Sequence, residues 1–276
     1  MTDEQRDSKP SEAGDAGSPP NTGSSSSPPP PQPTESMHSR LIEHVKENKI
    51  DVALWATRVL TIVFTISYIL PFVGSAQSCY NKVLLANAAT SALRLHQRLP
   101  TFHFSREFLS QLFTEDSCHY LFYSLIFLYV NPEILVLLPV VLFAVLHASS
   151  YSLKLLDIIG QNSWWGARFC ISIIEFQTTN ILRLAAFAEI LIMPLAVILV
   201  FMGRAGLMTP FVYYHFLALR YMSRRNPYTR NMFSELRMAT DALALKSPLT
   251  IAKILRGGIA FVSRLAPGQP TAAPTH

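Results

Sequence analysis

The densest run of reactive side-chain types in the chain is Glu115, Asp116, Ser117, Cys118 and His119, which brings acid, nucleophile and base into five consecutive positions. A cysteine nucleophile needs its base within hydrogen-bond reach. Adjacent residues on a helix point in different directions, so Cys118 and His119 are poorly placed for proton transfer. Asp116 and Ser117 make better sense as caps for a helix entering a membrane. No zinc-protease, hydrolase-elbow, P-loop or dinucleotide-binding motif is present. His96, His103, His119, His147 and His215 are too scattered in sequence for a metal site, and the three cysteines lack ligand spacing. Neither catalytic residues, nor a cofactor, nor a bound metal is expected. Cys79 and Cys170 could be acylated near a membrane surface; a buried thiol is the simpler reading.

A second kind of chemistry lies in charge placed where hydrocarbon is expected. Residues 181–202 are apolar apart from Arg183 and Glu189. Arg183 stands near the helix end and can snorkel to the headgroups. Glu189 is the one deep charge. Six residues apart, the two stand about 120° from each other around a helix and do not pair. Intramembrane ions are costly and usually functional. Glu189 is therefore either a partnered or protonated residue inside a bundle, or part of an ion path.

The elements that must carry these residues are helices of bilayer length. Residues 52–73 form an apolar run preceded by Lys46 and Lys49, with Trp55 and Tyr68 as interfacial anchors. Residues 118–151 hold two apolar runs broken at Asn131, Pro132 and Glu133, where proline forbids a regular helix. This stretch fits one kinked crossing or a hairpin that enters and leaves one leaflet. Residues 181–202 are the last clear span, and 207–223, rich in tyrosine and ending in Arg220, Arg224 and Arg225, are a further candidate for a re-entrant or interfacial helix.

Between and after the spans the periodicity is amphipathic. Leu84, Leu85, Ala88, Ala92, Leu95 and Leu99 share one helical face, and Asn87, Arg94, Gln97 and Arg98 form the other, a candidate interaction face. Phe104, Phe108, Leu109, Leu112 and Phe113 make a shorter apolar side. Near the C-terminus, Met232, Leu236, Ala239 and Leu243 line up opposite Arg230, Arg237 and Asp241. The last such helix sets Ile251, Leu255, Ile259 and Val262 against Lys253, Arg256 and Arg264, the composition of a membrane-surface helix.

Composition agrees with a lipid environment. Half of the 276 residues are hydrophobic and only 15% are charged, well below the quarter usual in soluble domains. The net charge of +5 hides an acidic start, where Arg6 and Lys9 face six carboxylates within residues 1–36. The remainder is therefore strongly basic, which suits anionic lipid headgroups. Because the basic residues flank membrane segments, nucleic acid is not an expected partner. Residues 1–37, rich in proline and serine, have the composition of a disordered tail, and no cleavable signal peptide is evident. Charge counting puts the arginine-rich C-terminus in the cytosol and the segment near residue 165 in the lumen. It does not choose between the two readings of 118–151, and Lys46 and Lys49 favour a cytosolic N-terminus.

Several strings carry a resemblance: LLANAATSALRLHQRLP at 84–100, EDSCHYLFYSLIF at 115–127, SRRNPY at 223–228, FSELR at 233–237 and FVSRLAP at 261–267. Over about residues 44–267 the chain resembles the transmembrane protein 33 family, also called Krüppel homologue 2. The resemblance implies a multi-pass protein of the endoplasmic reticulum and nuclear envelope that associates with reticulons and influences tubular membrane organisation. Fungal relatives imply a link to nuclear pore organisation and so to nucleoporins, and to membrane binding by the C-terminal region. A role in stress signalling or calcium handling, as a regulatory subunit of another membrane protein, is the alternative. The resemblance carries over no catalytic residues. The expectation is an all-α polytopic membrane protein with three to four embedded segments. It comprises a tail at 1–37, a helical membrane domain at 38–228 and cytosolic amphipathic helices at 229–276.

Overall fold

The computed structural model describes residues 37–70, 74–99, 105–161, 163–223 and 226–246, together with Lys253 and Gly257. Among these residues there are ten α-helices and no strand. They are α1 Met37–Glu47, α2 Lys49–Ile69, α3 Ala76–Arg98, α4 Arg106–Thr114, α5 Asp116–Phe127, α6 Ile134–Ile159, α7 Trp165–Phe176, α8 Thr178–Phe201, α9 Met208–Met222 and α10 Tyr228–Lys246. Of the expected tail, only Met37 falls within them, and it begins α1.

Three helices, α2, α6 and α8, are long and apolar enough to cross a membrane. Their 21, 26 and 24 residues correspond to roughly 32–39 Å at about 1.5 Å per residue, against a hydrocarbon core of about 30 Å. The stretch at 118–151, which fits either one kinked crossing or a hairpin, is two helices in the structure. α5, of 12 residues, is a separate short helix, and α6 alone is long enough to cross. Pro132 sits in the turn between them. The chain reverses there, as Tyr123 donates to the Val136 carbonyl at 2.6 Å and Tyr120 meets Phe143 edge-on.

The remaining connections fix the direction of every long helix. Ser75 accepts from the Ser78 amide to start α3, which then runs antiparallel to α2 through Tyr68 on Tyr80, Thr57 to Thr90 at 2.8 Å and Asp51 to Gln97 at 3.0 Å. Gly203, at φ 69°, turns α8 into α9; a left-handed residue there suits glycine. The amide of Asn131 donates to Arg204 at 3.2 Å, and Arg204 pairs with Glu133 at 2.6 Å. The α2–α3, α5–α6 and α8–α9 connections therefore meet at one end of the bundle, the turn end.

At the opposite end lie α1, held by His44 to Tyr151 at 3.0 Å; the outer halves of α2 and α6, joined by Trp55 to Ser152 at 2.9 Å; and α7 between α6 and α8. α10 runs towards the same end, pairing Glu235 with Arg183 at 2.7 Å. This corrects one expectation. The segment near residue 165 shares an end with α10 instead of lying opposite it, because α9 and α10 together return along α8. Lys46, Lys49, Arg98, Lys154, Arg168 and Arg237 sit at this basic end, whereas the turn end holds Lys82 and Arg204.

The core is aromatic and lies between the spans and the short helices. Tyr80, Tyr120, Tyr123, Phe127, Tyr213 and Phe216 pack with Leu84, Leu137 and Ile192. A buried tyrosine hydroxyl must find an acceptor. Tyr80 donates to Phe127 O, Tyr123 to Val136 O and Tyr213 to Glu189 O at 2.6 Å. The hydroxyl of Tyr120 leads to the polar centre.

Candidate functional site: a polar layer inside the spans

Arg58, His147 and Glu189 stand near the middle of α2, α6 and α8. Polar side chains at that depth are expensive unless paired or wetted, and the fold treats the two halves of this layer differently.

The first half is a closed ionic cluster. Glu189 is fully buried and accepts from Tyr120 at 2.5 Å, from Arg220 Nε at 3.1 and 3.2 Å and from Thr229 at 3.1 Å. Arg220, itself 1% exposed, extends Nη1 to Asp116 at 3.1 Å, which also accepts from Ser223 at 3.1 Å. The guanidinium lies over the rings of Tyr120 and Phe143. Its Nη2 is 3.1 Å from Glu189 Oε1 but makes no hydrogen bond of good geometry, so Nε carries the pairing. One carboxylate and one guanidinium thus tie α5, α8, α9 and α10 together. Glu189 is thus a partnered residue inside the bundle.

The second half is open. A cavity of about 270 Å³ is lined by Asp51, Leu54, Arg58, Arg94, Gln97, His147, Ser150, Tyr151 and Lys154. A second, of about 120 Å³, shares Arg58, Arg94 and His147 and reaches Asp116, Tyr120 and Arg220.

The comparisons with known proteins bear on the whole chain. Residues 32–268 match the model of the family described as Transmembrane protein 33/Nucleoporin POM33. The chain belongs to that family. It is 64% identical over 241 residues to Krueppel homolog 2 of Drosophila melanogaster, covering 87% of each chain. It is 46% identical over 233 residues to Transmembrane protein 33 of Homo sapiens, covering 83% of this chain and 94% of that one. To the Transmembrane protein 33 homolog of Caenorhabditis elegans it is 40% identical over 238 residues, 83% of this chain and 86% of the relative. No solved structure matches. This family member is a helical membrane protein.

Asp116 and Ser117 are not caps. Glu115 holds the N-cap position of α5 without a side-chain cap bond, and Asp116 turns instead to Arg220. His119 does not face Cys118 as a base: its Nε2 donates to the Phe113 carbonyl at 2.6 Å, tying α4 to α5. Arg183 is half exposed and pairs with Glu235, not with Glu189. In the proposed interaction face, Asn87 donates inward to Ser124 at 2.8 Å and Arg94 lines the cavity. Gln97 bonds Asp51 and Arg98 pairs with Glu115. The outward side of α3 at this level is Leu85, Ala89 and Ala92, while Leu84 of the apolar set is buried in the core and Gln97 and Arg98 of the polar set stay exposed. Of the C-terminal surface residues, Lys253 is exposed. Ile251, Leu255, Arg256, Ile259, Val262 and Arg264 lie outside the described residues. Among the described residues no group of three His, Cys, Asp or Glu could hold a metal.

Sequence reasoning missed Arg220 as the partner of Glu189, treating it only as one of the charges ending an aromatic helix. A signal existed. A carboxylate committed to the middle of a span demands a cation at equal depth, and Arg220 closes a helix too apolar to solvate it.

Proposed function

We propose that this family member is a non-enzymatic membrane protein of the endoplasmic reticulum and nuclear envelope that shapes or scaffolds that membrane, in association with reticulon-type proteins and at nuclear pores. The observation that carries the reading is an asymmetry. The non-spanning helices α1, α7 and α10 gather at one end of the bundle with apolar side chains exposed, among them Ile42, Val45, Trp165, Phe169, Met238 and Leu245. Among the described residues the opposite end has no helix outside the bundle, although Tyr129, Phe201 and Leu207 are exposed there. Amphipathic helices lying in one interface add area to one leaflet, and a leaflet area difference bends a bilayer. Positive residues collect on the cytosolic side, so the basic end, with α1 and α10, faces the cytosol. Residues 229–276 then act as cytosolic surface helices, with Lys253, Arg256 and Arg264 on anionic headgroups. Support for a non-catalytic role comes from the use of His119 and Asp116 as structural partners.

Reconstitution into liposomes tests this. The full chain should tubulate or shrink vesicles, and replacing Trp164, Trp165 and Phe169 by serine should abolish that effect while leaving the protein inserted. Vesicles of unchanged size and shape with the wild-type protein would sink the proposal. A second reading, a regulatory subunit in stress or calcium signalling, is favoured by the exposed Met238 and Leu245 of α10, seven residues apart and so on one side of the helix, a face fit to dock on another membrane protein. Recovery of one stoichiometric partner, with no direct effect on vesicles, would favour it.

A further inference from the structure

Arg58 poses a problem that the ionic cluster does not. It sits within a spanning helix, 8% exposed, yet among the described residues neither Arg58 nor Arg94 donates a hydrogen bond or forms an ion pair. A buried guanidinium that makes no hydrogen bond and no close ion pair, with Asp51 across the cavity as the carboxylate that faces it, is costly for a fold to hold. Both guanidinium groups line the two adjoining cavities, so what exposure they have is to that space.

The surroundings define what would satisfy them. Lys154 stands at the mouth of the larger cavity, and Ser150, Tyr151 and Gln97 supply polar lining. The one carboxylate of that lining, Asp51, already accepts from Gln97 at 3.0 Å. Deeper in, Asp116 is taken by Arg220 and Ser223. The lining of the larger cavity therefore sets three full positive charges, Arg58, Arg94 and Lys154, against the single carboxylate of Asp51, an excess of positive charge. Arginine's planar fork matches the oxygens of a phosphate, and paired arginines are the usual device for gripping one. The cavity also opens where headgroups would lie. Asp51 and Lys154 belong to the outer parts of α2 and α6, at the basic end, while Arg58 and His147 lie about one to two helical turns deeper. A volume of about 270 Å³ is below the range typical of drug-sized ligands and suits a small headgroup.

We propose that the cleft between α2, α3 and α6 is a binding site for the phosphate group of an anionic phospholipid, gripped by Arg58 and Arg94 with Lys154 at its entrance. The acyl chains would remain in the leaflet at the basic end. Lipid binding at this cleft is separate from surface attachment by the C-terminal helix. It does not depend on the membrane-shaping reading.

The test uses the full chain, purified in a neutral detergent, with dioctanoyl phosphatidic acid as the anionic probe, dioctanoyl phosphatidylcholine as the zwitterionic control and inorganic phosphate as the soluble anion. Phosphatidic acid should bind and raise the thermal midpoint. Arg58→Gln and Arg94→Gln should each weaken binding at least tenfold, while the exposed Arg237→Gln should not. A purely structural arginine would lose stability on substitution. Here the opposite is expected: without ligand, Arg58→Gln should be as stable as wild type or more so, and should lose the ligand-induced rise. Inorganic phosphate raising the midpoint through Arg58 with no added effect of the lipid would overturn the lipid assignment. Equal binding of phosphatidic acid by wild type and Arg58→Gln would overturn the site, as would a clear loss of unliganded stability in Arg58→Gln.

Discussion

Removing the carboxylate of Glu189 should be among the most damaging single changes in this protein. In Glu189→Gln, the Nε of Arg220 faces an amide in place of a charge, and its remaining counter-charge is Asp116, whose side chain is 31% exposed. The hydroxyls of Tyr120 and Thr229 lose an anionic acceptor at the same time. Breaking a fully buried ion pair by neutralising one partner costs about 3–5 kcal/mol, because the other charge is left uncompensated. Replacing both partners with apolar groups of similar volume is nearly neutral in many buried pairs. The double variant Glu189→Leu with Arg220→Met should therefore recover most of the loss, leaving a coupling energy of about 2 kcal/mol or more. The measurement is a double-mutant cycle of Glu189→Leu, Arg220→Met and the double variant, with Glu189→Gln beside it, on the purified protein in detergent, following unfolding by tryptophan fluorescence. A loss under about 1 kcal/mol for Glu189→Gln, or additive single variants, would refute the claim that this pair holds α5, α8, α9 and α10 together.

Three other expectations are cheaper to check. Arg98→Ala breaks the pair with Glu115; the arginine side chain is 39% exposed but the carboxylate only 9%, so the loss should exceed the roughly 1 kcal/mol of a surface pair in the same unfolding assay. Gly160 closes α6 at φ 75°, a conformation that costs a Cβ-bearing residue roughly 1 kcal/mol; Gly160→Ala should lower the unfolding free energy by about that amount, although nothing crowds the position. Cys79 and Cys118 are buried while Cys170 on α7 is partly exposed, so a membrane-impermeant maleimide added from the cytosolic side should modify Cys170 first. Modification of Cys170 only from the lumenal side would reverse the proposed orientation.

How much of this was legible beforehand varies with the kind of interaction. The spans were readable because a bilayer imposes a length and an apolar composition on each helix separately; α2 and α8 lie within a few residues of their expected limits. The break at Pro132 was likewise local, since proline disrupts a helix wherever it falls. What local pattern could not supply was the answer to each polar residue. Asn87 and Arg94 formed an orderly polar face on α3, and by the rules of a water-facing helix that face should be outside. In lipid the preference is reversed, and only the packing of α3 against α2 and α5 shows that Asn87 and Arg94 turn inward while Gln97 and Arg98 stay exposed.

The sequence by itself determined that the chain is helical, embedded in lipid and basic at its edges, because hydrophobicity, helix period and charge are properties of segments. Tertiary structure alone decided that Glu189 meets Arg220, 31 residues later and on another helix, and that Arg58, among the described residues, forms no ion pair. Pairing in a low-dielectric interior depends on which side chains share a depth and a facing direction. Those are set by the handedness and level of several helices together, and no single segment encodes them.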